Sequence, residues 1–371
     1  MRYEVIVVGA GPGGATAARE LAGQGARVLL LEASRLPRYK PCAGGITAKA
    51  AAILDDDFRE VVQGSMRHAV FSHGFRHEVR ASRCEPYAYT VMRDRFDMYL
   101  VRKAVEAGAV LHEGERVERA ETGPSGVEVV TDRGKYCGDY VVGADGARSR
   151  VARSLGLCGS LVRGMAVEAV LNVSPREEAR FKETAYIDYG CIKSGYGWIF
   201  PKNGRLSVGI GTFAVGRLSL RGLFNRYLGH YFPFLPPNSF RLAGHELPLG
   251  GWRQQLVRER ALLVGDAAGL ADPFTGEGIY YALRSGILAA QAIAGSLSGK
   301  GELGLYQRLV EEEIFPELKV AARIASIFYL WPGFFHRLLV ARGRVMDAFL
   351  EVVAGDRSYR QFGRWMRLFP S

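Results

Sequence analysis

The residues of this 371-residue chain whose types and spacing can do chemistry begin with three glycines. Gly9, Gly11 and Gly14 form a G-x-G-x-x-G spacing directly after the apolar run at residues 3–8 and ahead of an alanine-rich stretch, 15–23. After a strand, Gly9 permits a tight turn, Gly11 lets the backbone approach a pyrophosphate, and Gly14 lets the next helix, beginning at Ala15, lie close on the sheet. The helix presents its free N–H groups and positive dipole end to the phosphates. Glu32 ends a second apolar run, 27–31, where an acid accepts hydrogen bonds from an adenosine ribose. Its charge would repel a 2′-phosphate, so the expected nucleotide is FAD or NAD and not NADP. Glycines alone also make ordinary loops; the strand, helix and acid around these three set them apart.

Four further places carry reactive or ligand-binding types. Residues 35–46 hold two prolines, Cys42, Ala43, Gly44 and Gly45, a loop with special backbone angles that follows the ribose-binding strand and would reach toward the redox end of a nucleotide. As a plain connector it would simply bury a cysteine. Asp145, after the buried run 140–144, either caps the next helix or helps position phosphates. Tyr196, Trp198 and Phe200 alternate and so share one face of a strand, as a core stripe or as a site lining. Asp266 lies just past the short run 260–264, and Gly276 and Gly278 open a small-residue helix, 280–295, offering backbone N–H groups to the reactive ring of an extended dinucleotide.

The elements that must position these residues give an α/β chain of two interleaved domains. A Rossmann-like FAD-binding domain is expected over 1–65, 92–160 and 255–300. An antiparallel-sheet substrate domain is expected over 66–91 and 161–254, and a C-terminal helical region, broken at Pro316 and Pro332, over 301–371. A helix opens near Arg93 and runs to about 107, and Val117 begins a hairpin that continues to 131.

The five cysteines are scattered, odd in number and without metal spacing, which fits a reduced compartment and no metal; apart from Cys42 they are expected to be small core residues. The first strand starts too early to leave room for a signal peptide, and no run reaches the roughly 18 apolar residues of a span, so a cytoplasmic or peripheral protein is expected. The formal charge of +11 suits anionic lipid or a phosphorylated substrate; no nucleic-acid module accompanies it, and no nucleic-acid partner is expected. Residues 323–367 set Leu330, Trp331, Phe334 and Phe335 among many arginines, including Arg323, Arg337, Arg342, Arg344 and Arg367. They form a helical lid, an anionic-membrane surface, or both.

Taken together, the glycine loop with Glu32, the turn at 144–146 and the strand end at Asp266 resemble the flavoprotein group that includes p-hydroxybenzoate hydroxylase. Within it, Lys40-Pro41-Cys42-Ala43-Gly44-Gly45 and Tyr196-Gly197-Trp198-Ile199-Phe200-Pro201 resemble the K-x-C-G-G loop and Y-x-W-x-F-P strand of the geranylgeranyl reductase family. The likeness covers nearly the whole chain; Ala43 departs from it where a glycine is expected, a change of little weight if the backbone there is not left-handed.

The resemblance implies FAD, with the diphosphate at 9–15, the ribose on Glu32, and Arg93 and Val117 near the cofactor. It implies the loop of Cys42, Ala43 and Gly45 beside the redox ring, and Asp266, Gly278 and Ile279 on the ribityl chain and ring. It also implies reduction of isolated double bonds in polyprenyl chains on lipids, quinones or chlorophyll-type molecules. Tyr196, Trp198 and Phe200 would hold the alkene, and Cys42 would gate or supply a proton. No second G-x-G-x-x-G is present, so electrons must come from transiently docked NAD(P)H, ferredoxin or a similar carrier. Two alternatives share the fold: a monooxygenase or halogenase, the latter with a W-x-W-x-I-P stretch of the same spacing, and a non-catalytic prenyl binder like the GDP-dissociation inhibitors.

Overall fold

A computed structural model describes residues 2–157, 159, 161–214, 219–236, 239–341 and 343–366. Cys158, Arg342 and Arg367 lie outside the described residues. The chain forms two compact units: Met1–Tyr39, Asp94–Val162 and Leu247–Lys319 in the first, and Lys40–Arg93, Arg163–Glu246 and Val320–Ser371 in the second.

The first unit is built on an eight-stranded sheet whose main path runs Val257–Arg258, Ala261–Leu263, Lys135–Gly143, Arg2–Val8, Val28–Glu32, Val110–Glu113. From Ala261–Leu263 to Val110–Glu113 the pairing is parallel. Val5, Ile6 and Val7 and Leu29 and Leu30 are all fully buried, so consecutive side chains on both faces are covered, as a parallel sheet requires. Each such side chain contributes about 1.5–3 kcal/mol of transfer free energy. The hairpin Val117–Gly123 and Gly126–Thr131 adds to the sheet through Lys135–Gly143. Two helices, Pro12–Gly23 and Ile279–Leu297, cross closely: a Cβ on Gly13 would stand 3.0 Å from the Ala282 carbonyl oxygen, so the missing side chain sets their separation.

The second unit carries a seven-stranded sheet, in the order Ala243–Leu249, Val162–Asn172, Arg205–Thr212, Gly195–Lys202, Thr184–Tyr189, His68–His73, Arg76–Ser82. One face packs Ile199, Val208, Ile210 and Leu171 against Phe224 and Tyr227 of the helix Leu220–Tyr231. That helix, with Phe224, Tyr227, Leu228 and Tyr231 at helical spacing, and the helix Pro175–Phe181 both lie inside the stretch that the sequence reading assigned to sheet.

Other boundaries also fall elsewhere. Gly45–Thr47 and Val62–Met66 pair with Ala88–Val91 in a separate three-stranded sheet, which is why residues 40–65 go with the second unit. The C-terminal helices are shared: Leu305–Glu313 lies in the first unit, while Pro332–Ala341, Arg344–Ala354 and Tyr359–Trp365 lie in the second. Pro332 is the first residue of its helix, a place where the missing N–H costs nothing. Cys191 is buried, but Cys84 and Cys137 are exposed, against the expectation that they fill core. Cys137 sits on an outward-facing position of its strand, where alternation places a solvated side chain.

Candidate functional site

The nucleotide cradle of the first unit follows from three glycines with three different constraints. Gly9 has φ of 100°, and a Cβ there would overlap the Ala144 carbonyl. A Cβ on Gly14 would overlap the Gly9 carbonyl oxygen, so Gly14 sets how close the helix starts to the strand end. Gly11 differs: no atom lies within 4 Å of the place a Cβ would take. The helix Pro12–Gly23 starts there with a proline in its first turn and no side chain capping its end. Uncapped N–H groups facing an open backbone position fit a pyrophosphate and leave room for it.

Glu32 is buried and held in place: its Oε2 accepts the Ala10 N–H at 3.0 Å and its Oε1 the Ser34 N–H at 3.0 Å. Arg38 pairs with it at 3.1 Å and donates to Asp97 Oδ2 at 2.8 Å. Burial works against the Arg38 charge, yet Asp97 and Glu32 outweigh it, and the pKa of the guanidinium is raised. Arg38 and Asp97 were not singled out from sequence; Asp97 is fully buried.

Asp145 does what its capping reading requires. Its Oδ2 accepts the Arg150 and Val151 N–H groups at 2.6 and 3.2 Å, and its Oδ1 accepts the Ser149 hydroxyl at 2.5 Å. Burial pushes its carboxyl pKa up, and these bonds pull against that rise. At the far end of the cradle, Asp266 lies in the turn Gly265–Ala268, and a Cβ on Gly278 would stand 3.5 Å from its Oδ1. Gly278 precedes the helix Ile279–Leu297, which again has no side-chain cap. Asp272, overlooked in the sequence, shapes the approach: fully buried, it accepts the Phe274 and Thr275 N–H groups at 2.7 and 3.0 Å. Gly9, Gly11, Gly14, Ala15, Glu32, Val117, Asp266, Gly278 and Ile279 thus share the first unit. Cys42, Ala43, Gly45 and Arg93 belong to the second, with Arg93 buried at its boundary.

In the second unit the Cys42 turn and the aromatic strand come together. Trp198 pairs in register with Gly209, and Phe200 with Ser207, on the face opposite the core helix Leu220–Tyr231. The aromatic stripe is therefore not part of that core. Tyr196 and Trp198 meet edge-on at 6.1 Å, and Tyr196 and Phe200 keep part of their surface open. A Cβ on Gly45 would stand 3.6 Å from Phe200 Cε2, so the turn borders this face.

The turn is tightly held. Gly44 has φ of 71° and its Cβ would overlap the Val91 carbonyl; its own carbonyl accepts the Val91 N–H at 2.9 Å. The buried Lys202 donates to the Val91 carbonyl, and the Gly44 N–H reaches Cys42 Sγ at 3.4 Å. Ala43 is not among the left-handed non-glycine residues, so its methyl is accommodated. Glu168, Ser207 and Lys202 were missed by the sequence reading, because single polar residues in strands give no spacing signal. No group of three or more metal-ligating side chains occurs among the described residues.

An FAD binding domain family model matches residues 2–195. Digeranylgeranylglycerophospholipid reductase 2 of Methanopyrus kandleri is 32% identical over 88% of this chain and 87% of its own. Menaquinone reductase of Mycobacterium tuberculosis is 31% identical over 87% and 83%. Among solved structures, a geranylgeranyl bacteriochlorophyll reductase-like protein of Thermoplasma acidophilum has a TM-score of 0.76 at 23% identity, over 95% of this chain and 91% of its own. The flavin-dependent brominase Bmp2 has a TM-score of 0.78 at 18% identity, over 99% of both chains. At those identities the structures show the shared fold alone. The relatives, the domain match and the cradle together show that this chain belongs to the geranylgeranyl reductase family of FAD-dependent oxidoreductases.

Proposed function

We propose that the protein saturates carbon–carbon double bonds in a polyprenyl chain carried by a lipid, quinone or chlorophyll-type head group. The observation that carries this is the aromatic face of the second unit: Tyr196, Trp198 and Phe200, turned away from the core and bordered by the Cys42 turn. An unactivated alkene offers only apolar surface, and partly open rings beside glycines suit it. The names of two relatives, reductases of a geranylgeranyl lipid and of menaquinone, support the same substrate class.

Bound and reduced, FAD supplies the hydride in such a reaction. The glycines of the cradle, with Ala15, Glu32, Val117, Asp266, Gly278 and Ile279, would hold it. Tyr196, Trp198 and Phe200 orient the alkene and exclude water. The Cys42 thiol gives or gates the proton that the second alkene carbon takes up. Electrons reach the protein from NAD(P)H, ferredoxin or a similar donor.

The same reading places the protein at the surface of an anionic membrane, where such substrates reside. Leu330, Trp331 and Phe334 are 66%, 65% and 57% exposed near the corner between the helices Phe315–Phe328 and Pro332–Ala341, which bend by 99°. Residues 318–346 contain no acid, and Arg323, Arg337 and Arg344 stand exposed among them. No single helix among the described residues is long and apolar enough to cross a membrane.

Dithionite-reduced protein incubated separately with a geranylgeranyl lipid, menaquinone and geranylgeranyl-chlorophyllide tests the reading by product mass. Gains in steps of two hydrogens on one of them are expected; unchanged masses on all three would overturn it.

A further inference from the structure

Cys42 and Trp198 belong to separate motifs, and one overlooked residue joins them. Glu168, in the strand Val162–Asn172, is only 3% exposed. It pairs in register with Gly209, the partner of Trp198, so its side chain lies on the aromatic face. A carboxylate beside tryptophan and glycine loses hydration and is stable there only with donors aimed at it. Glu168 Oε1 accepts the Cys42 N–H at 2.7 Å, and Oε2 accepts the Ser207 hydroxyl at 3.0 Å. Ser207 Oγ in turn accepts the indole N–H of Trp198 at 3.2 Å.

We propose that Glu168 is the positioning residue of the polyprenyl site, a single carboxylate that locks the Cys42 turn with one oxygen and, through Ser207, the Trp198 ring with the other. An acid suits the place because both partners are donors: a carboxylate offers two acceptor atoms and no hydrogen of its own. Its bond to the Cys42 N–H is also charge-assisted, and so stronger than an amide would make. The turn's other end is held by Val91, whose N–H donates to the Gly44 carbonyl at 2.9 Å. Loss of Glu168 therefore frees the thiol end while Gly44 stays seated. The use of this lock in alkene reduction rests on the function proposed above; its geometry does not.

The test uses the FAD-loaded protein with Glu168→Ala, Glu168→Gln and Ser207→Ala. The rate of iodoacetamide labelling at Cys42 is read by peptide mass spectrometry, with the exposed Cys84 and Cys137 as internal standards. Loss of one anchoring hydrogen bond, about 1 kcal/mol, corresponds to roughly a fivefold rise in Cys42 labelling for Glu168→Ala. Glu168→Gln, which keeps one uncharged acceptor for the Cys42 N–H, brings the rate back below that of Glu168→Ala and toward the wild-type value. Ser207→Ala leaves Cys42 labelling unchanged and raises KM for the polyprenyl substrate more than it lowers kcat.

Equal Cys42 labelling in wild type and Glu168→Ala overturns the proposal, as does a Gln variant as reactive as the Ala variant. Should Glu168→Ala not fold, Glu168→Asp, too short to reach both donors, takes its place with the same expectation. Labelling that follows this pattern in a protein that reduces no polyprenyl chain upholds the lock and removes the proposed function instead.

Discussion

Trp198 lies directly over Gly209: the two are register partners, and a Cβ on Gly209 would overlap the six-membered ring of the indole. The glycine is what lets a buried tryptophan lie along the sheet with its N–H on Ser207. Gly209→Ala must lift the ring, at about 1–3 kcal/mol for overpacking. The expected result is at least a roughly tenfold fall in polyprenyl turnover with unchanged FAD content, read by assay and by flavin absorbance. Unchanged turnover would show that Trp198 does not orient the substrate.

Gly11 and Gly14 separate binding from folding. A methyl on Gly11 meets no protein atom, whereas one on Gly14 overlaps the Gly9 carbonyl. Gly11→Ala is expected to weaken FAD binding by roughly tenfold or more with an unchanged apo-protein melting temperature. Gly14→Ala is expected to lower both. Flavin titration and thermal melting of the apo-protein check the pair.

Arg38 is the counter-ion of two buried acids, Glu32 and Asp97. Its loss in Arg38→Ala takes an ion-pair partner from the fully buried Asp97 and is expected to destabilise the protein, by up to about 3–5 kcal/mol. Asp97→Asn added to it is expected to recover part of that loss. Denaturant unfolding of the two variants decides; equal stability of Arg38→Ala and wild type would contradict it.

How much of this was legible in the sequence depended on whether a residue's role is local. Gly14, Glu32 and Asp145 act on neighbours close in the chain, and spacing exposes them. The break read at Pro332 is present, between the helices Phe315–Phe328 and Pro332–Ala341, with the proline as the first residue of the second. The strand at 88–91 gave no sign that it leaves the large sheet, since alternation reports a face and not a partner. Glu168 and Ser207 were invisible for the same reason: their partners at Cys42 and Trp198 are set by register.

His336 gives the second unit a pH dependence. Its Nε2 donates to the His77 carbonyl, and its buried Nδ1 has no partner, so the neutral ring fits and a second proton does not. Burial, with His73 and His77 close by, lowers its pKa below 6.5, against opposing pulls from the His77 carbonyl and Asp188. With the native value below the unfolded one, the unfolded chain binds more protons as pH falls past about 6.5, and stability present above that pH is lost below it. The melting temperature is expected to drop between pH 7 and pH 5.5, and His336→Phe is expected to flatten that drop. An equally steep drop in the variant would contradict it.

The exposed Leu330 and Trp331 make membrane association testable. Wild-type protein is expected to sediment with vesicles containing anionic lipid and less with neutral ones, and Leu330→Glu with Trp331→Glu is expected to abolish the difference without changing the melting temperature. Equal sedimentation of variant and wild type would remove this surface from consideration.

The most direct measurement is an anaerobic single turnover. Dithionite-reduced, desalted protein is mixed with a geranylgeranyl lipid while the oxidised flavin band and the lipid mass are followed together. The predicted result is return of that band with one two-hydrogen gain per flavin, lost in a Trp198→Ala variant that still holds FAD. A band that returns only when oxygen is admitted, with the lipid unchanged, would contradict it.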